Sequence, residues 1–192
     1  MTVERMVVWG LAAGLLLLPA VAMQFTDEVD WRAGSFVLFG AMLAATAGAY
    51  EIAAYLARRP GLRRGGVAYR AGAALALVAA FVLVWMDLAV GIAGEDNPAN
   101  LLYPAVPVIG AVGAALARGR PAGMARAMLA AALALLLAGG VALALETRVP
   151  VPALLMLHGG YAAAFLAASW LFRRAARLSA DSRPCTGGAK PI

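Results

Sequence analysis

Apolar residues run through this chain in long stretches broken by short polar connections. A helix that crosses a bilayer needs about 20 predominantly apolar residues, and six stretches qualify: Met6 to Gln24, Ala33 to Ala57, Ala71 to Gly94, Leu101 to Ala117, Ala127 to Leu145 and Val151 to Phe172. The pattern predicts an all-α fold, a polytopic transmembrane bundle of six spans over residues 1–178, followed by a polar, disordered tail over 179–192. The fourth span is the shortest and carries Pro104 and Pro107 in its first turns. It is expected to be short or locally unwound at that end; a re-entrant segment is the alternative. The first span has a rival reading as a cleaved signal peptide, because Arg5 precedes an apolar run, Pro19 can break it, and Ala20-Val21-Ala22 suits a cleavage site. The other reading is a retained anchor that bends at Pro19.

The connections sort by sign. Asp27, Glu28, Asp30, Glu95 and Asp96 crowd the first and third connections, while Arg58, Arg59, Arg63, Arg64 and Arg70 fill the second without an acid. Arg118, Arg120 and Arg126 follow in the fourth, and Arg173, Arg174, Arg177, Arg183 and Lys190 in the tail. With six crossings, every basic residue except Arg32 and Arg148 lies on one side. Cytoplasmic loops retain Lys and Arg, so both termini are expected in the cytoplasm and the protein in the inner membrane of a bacterium.

Composition agrees. Charged residues make up 14% of the chain against about 25% in a soluble domain, too few to coat a water-facing globule. The net charge of +6 therefore bears on orientation and on anionic lipid at the inner Arg clusters. The chain has no aromatic-basic interleaving of the kind that binds single strands, so nucleic acid is not an expected partner. A single cysteine, Cys185, excludes an internal disulfide, a cysteine zinc site and a redox pair. A single histidine, His158, excludes multi-histidine metal sites. No cofactor and no catalytic residue are expected.

Ionisable residues inside spans are expensive and are functional candidates by default. Three such residues stand out: Glu51 toward the inner side, and Asp87 and His158 in the outer half. Asp87 and His158 lie at similar depth and would hydrogen-bond if the third and sixth helices touch. That pair reads either as a proton or cation site or as a structural tie. Glu51 shares a face with Tyr55 and Arg58 and is expected to pair with Arg58 or Arg59. Met23, Met86 and Met156 lie toward the same outer side as His158, a soft-ligand set that suits Cu(I), although scattered methionines also serve as packing filler. Outside, Asp27, Glu28, Asp30, Glu95 and Asp96 form an acidic cluster that could pool hard oxygens with Gln24, Thr26, Asn97 and Asn100 for a divalent cation, or be solvated loop tips. Asn100 is expected to cap the fourth helix after Pro98 ends the third. Trp9, Trp31, Tyr69, Trp85, Tyr103 and Trp170 fall near span ends and are expected to be interface anchors. Gly110 with Gly113 and Gly139 with Gly140 predict close helix approach. The stretches from Leu56 and Leu116 are weakly alike, a hint of a duplicated hairpin.

The segments from Val21 to Trp31, Tyr50-Glu51 and Gly94 to Asn100 resemble an uncharacterised family of small bacterial multi-pass inner-membrane proteins. The likeness covers about the first two-thirds of the chain. It implies the membrane setting and no activity or ligand. Two classes of function stay open: a structural or accessory membrane component, such as one that packs against another membrane protein, and a small permease or ion pathway using Asp87, His158 and Glu51. A lipid-directed enzyme ranks third because nothing supplies a nucleophile.

Overall fold

The computed structural model describes residues 3–26, 31–62, 64–94, 97–145 and 149–181. It is all-helical: α1 (Val3–Ala22), α2 (Ala33–Ala57), α3 (Gly66–Val90), α4 (Ala105–Ala117), α5 (Pro121–Ala144) and α6 (Val151–Ala180), with short 3-10 turns at Pro60–Leu62 and Pro98–Leu102. No strand occurs among the described residues. With its preceding turn counted into α4, six helices among the described residues are long and apolar enough to cross a membrane. A helix satisfies its own backbone, which is what an apolar solvent demands.

Successive helices run antiparallel, and contacts between side chains give their order in space. Glu4 on α1 meets Tyr50 and Arg58 on α2; Phe39 on α2 stacks on Phe81 and Trp85 of α3. Tyr69 and Met86 of α3 touch Phe172 and Tyr161 of α6, Ser169 of α6 bonds the Ala125 carbonyl of α5 at 2.8 Å, and α5 packs on α4. The row is therefore α1, α2, α3, α6, α5, α4. It curves, so that Leu56 of α2 comes to rest beside Gly119, just past α4. Arg58, Arg59, Arg70, Arg118 and Arg173 gather at one end of the bundle, the basic end, opposite the far end.

Small residues let the backbones approach. A methyl group at Gly113 would stand 2.6 Å from the Ala127 side chain, and alanines fill the seams of α3, α5 and α6. Van der Waals packing of this kind is the chief attraction between helices in lipid. Gly140 differs from its neighbour Gly139 in facing open space.

Several boundaries move relative to the apolar runs. α3 begins at Gly66 rather than Ala71, because Arg70 is neutralised by Glu4 inside the bundle instead of marking a loop. It ends at Val90 rather than Gly94, where Gly91 adopts φ +65° and turns the chain. α5 starts at Pro121, whose missing N–H is no loss at a helix start. α6 runs on through Arg173, Arg174 and Arg177 to Ala180, beyond the expected start of the tail at 179, since Arg and Ala are strong helix formers. The rest of the tail, with Arg183, Cys185 and Lys190, lies outside the described residues. The fourth span is indeed unwound at its far end, a 3-10 turn followed by a break at Tyr103-Pro104. α1 continues helically through Pro19.

Candidate functional site

The three intramembrane candidates separate. Glu51 stands toward the basic end, where its carboxylate takes the Arg5 guanidinium at 2.7 Å and the Trp9 indole N–H at 2.6 Å. The expected pairing with Arg58 or Arg59 does not form, because Glu51 faces α1 and Arg58 turns instead to Glu4. Glu4 is the acid that sequence reasoning passed over. It accepts two bonds from Arg70 at 2.8 and 2.9 Å, one from Tyr50 at 3.0 Å and one from Arg58 at 3.3 Å. A single carboxylate thus ties α1 to both α2 and α3. The usable signal was its place in the first turn of an apolar helix, where an acid suits the helix dipole. A polar recess of about 540 Å³ lies between α1 and α2 around these groups.

At the far end, α6 carries His158 in its second turn, buried against α5. A methyl group at Gly139 would fall 2.5 Å from His158 Cδ2, so glycine is what admits the ring. His158 Nδ1 lies 2.8 Å from the Leu154 carbonyl, and Nε2 lies 3.0 Å from the Tyr103 hydroxyl. A carbonyl only accepts, so Nδ1 carries the proton, and in the neutral ring Nε2 accepts from the Tyr103 O–H. Tyr103 is wholly buried. It is a bundle residue and not an interface anchor, because the break before α4 turns it inward onto α6.

Asp87 does not bond His158. It stands in the last turn of α3, closer to the helix end than expected because α3 stops at Val90. The Ile92 backbone N–H faces its carboxylate, which lies within electrostatic reach of the Tyr103 hydroxyl. Its Oδ1 is buried without a hydrogen-bond partner. Tyr103, and not Asp87, is the side chain that bonds His158 Nε2.

The remaining candidates are more modest in their surroundings. Asp27, Glu28, Asp30, Glu95 and Asp96 lie outside the described residues. The Asn97 side chain accepts from the Ala99 N–H, capping the 3-10 turn, and the Asn100 carboxamide accepts from Ala93 N–H and donates to the Gly94 carbonyl. Asn100 thus pins the turn after α3 instead of capping α4. Met86 accepts from the Tyr161 hydroxyl at 3.1 Å, and Met156 is exposed. Among the described residues no three His, Cys, Asp or Glu side chains converge as metal ligands. Tyr69, expected as an anchor, is also wholly buried, with its hydroxyl lacking a hydrogen-bond partner. Trp31, Trp85 and Phe39 form an aromatic cluster between α2 and α3.

A lateral groove of about 770 Å³ runs between α2, α3 and α4 with Phe165 and Phe172 of α6 among its lining. Its walls are apolar apart from Thr46 and, at the basic end, Arg59, Tyr69 and Arg118, which line the mouth.

Fold and site together define an all-α bundle compatible with a multi-pass membrane protein. No family model, curated protein or solved structure matches the chain.

Proposed function

We propose that this chain is a structural or accessory component of a bacterial inner membrane, with its termini and basic end in the cytoplasm. The orientation is supported by the placement of every basic residue but Arg32 and Arg148 on one side of six crossings. The observation that carries the scaffold reading is how the ionisable groups within the spans are used. Glu4 and Glu51 lash α1 to its neighbours at one end, and His158 locks α6 to the break before α4 at the other. Each is a tie between helices, and the ties stand at opposite ends rather than along one path.

A second reading, a small permease or proton pathway, draws on the partnerless buried Asp87 Oδ1 and on the Tyr103–His158 pair. Reconstitution into liposomes with an internal pH dye separates the two. The scaffold reading expects proton and cation flux no faster than in empty liposomes, together with a lower melting temperature for Tyr103→Phe, which leaves His158 Nε2 without its donor. Flux above the empty-liposome rate that disappears in Asp87→Asn would overturn it in favour of the pathway.

A further inference from the structure

We propose that the lateral groove between α2, α3 and α4 holds an acyl chain of an anionic phospholipid, with the phosphate at the basic mouth against Arg59 and Arg118. This needs the chain to sit in a bilayer but does not rest on the scaffold reading, so a flux result against that reading leaves it standing.

The groove is long enough for its occupant. From Met42 to Leu56 its wall follows α2 for about 21 Å at 1.5 Å per residue, against about 15 Å for the hydrocarbon of one leaflet. Met42, Ile52, Leu77 and Phe81 offer the chain an apolar wall. The mouth has the charge of a headgroup site. Arg5 pairs with Glu51, and Arg58 and Arg70 share Glu4, whereas Arg59 and Arg118 enter no ion pair among the described residues. A phosphodiester accepts paired N–H bonds from a guanidinium, and in phosphatidylcholine the choline ammonium cancels its charge, so two unpaired arginines favour the anionic lipid.

Two further observations point to a ligand at this mouth. The Tyr69 hydroxyl is fully buried at the groove wall without a partner, within electrostatic reach of Arg59. A buried hydroxyl left unbonded is costly, and a phosphate oxygen or its bound water would satisfy it. Arg118 is the only non-glycine residue with positive φ among the described residues, +49°. Glycine is the usual occupant of that position after a helix, so the chain retains backbone strain at a residue that lines the groove.

The test uses the full-length protein in a mild neutral detergent, titrated with phosphatidylglycerol and with phosphatidylcholine of the same chains. Thermal stabilisation and native mass spectrometry report binding. Phosphatidylglycerol is expected to bind more tightly, and the preference to fall about fivefold in each of Arg59→Gln and Arg118→Gln. Arg173→Gln with Arg177→Gln, basic but away from the groove, should leave it unchanged. Ala111→Phe and, independently, Ala115→Phe fill the groove from its lining and should abolish the bound lipid without lowering the melting temperature in detergent alone. Tyr69→Phe should weaken the preference while keeping the fold. Equal binding of the two lipids, an undiminished preference in the Arg59/Arg118 double variant, or wild-type binding in both groove-filled variants would each overturn the assignment.

Discussion

An added methyl group at Gly139 would land on the imidazole of His158, yet the same group at Gly140 would meet nothing within 4 Å. The two substitutions should therefore have opposite signs. Gly139→Ala displaces the ring, strains the seam between α5 and α6 and loosens the Tyr103 bond, for a loss of about 2 kcal/mol. Gly140→Ala gains helix propensity of up to ~1 kcal/mol. Thermal melts in detergent, or unfolding in a denaturing detergent, measure both, and equal signs would mean that His158 does not pack as described. His158 was legible in the sequence as a polar residue that an apolar span must satisfy. Tyr103 was not: an aromatic near a span end has a ready reading as an anchor, and only the folding of α4 back toward α6 makes it a donor. Gly139 and Gly140 are indistinguishable as letters, since which of them faces a neighbour depends on how α5 is rotated.

Among the elements, α4 shows most directly how local chemistry shapes a helix. Pro104 and Pro107 foretold its unwound start, because proline removes donors from a helix ladder. Its other end carries Arg118 at φ +49°, which no hydropathy pattern reveals. Arg118→Gly should raise stability in detergent by about 1 kcal/mol by removing left-handed strain, while weakening any anionic lipid held at the groove. Gain of stability with loss of lipid preference is the combined outcome to look for. At the first helix, the link to the bundle is the Glu4 cluster, and Glu4 and Arg70 are each about one-third exposed. A double-mutant cycle of Glu4→Gln with Arg70→Gln should return a coupling of no more than ~1 kcal/mol. The Glu4 and Arg58 cycle should return less, because that pair is longer at 3.3 Å and its arginine more exposed. The start of α3 was misplaced for the same reason that Glu4 was passed over: an arginine met in sequence reads as a loop residue until its acid is found sixty-six positions away.

For the molecule as a whole, the count of helices follows from apolar length alone, and the alternation of charge suggests which ends belong together. Reporter fusions after Gly65, Gly123 and Ile192 are expected to behave as cytoplasmic, and those at Asp30 and Asp96 as periplasmic. A periplasmic reading at the carboxyl end would sink the orientation. Intact mass of the purified protein should show a start at Met1 or Thr2, since cleavage after Ala22 would take Glu4 and Arg5 away from Arg58, Arg70 and Glu51. The spatial order of the helices was beyond the sequence. Alanine-rich helices have several small faces, and nothing in their spacing says which of them pairs with a distant partner.

That order has a consequence for how the protein is made. In the chain α6 follows α4 and α5, yet it stands in the middle of the row, between α3 and α5. Until it arrives, the first three helices form one hairpin-linked group and α4 with α5 another, joined by the turn that Asn100 pins and lacking the wedge that aligns them. Closure is a late, non-local step, and such steps leave apolar seams open to quality-control proteases while they wait. Chains stopped at residue 150 should therefore be degraded far faster than chains stopped at 181, although both contain the groove-lining helices α2, α3 and α4.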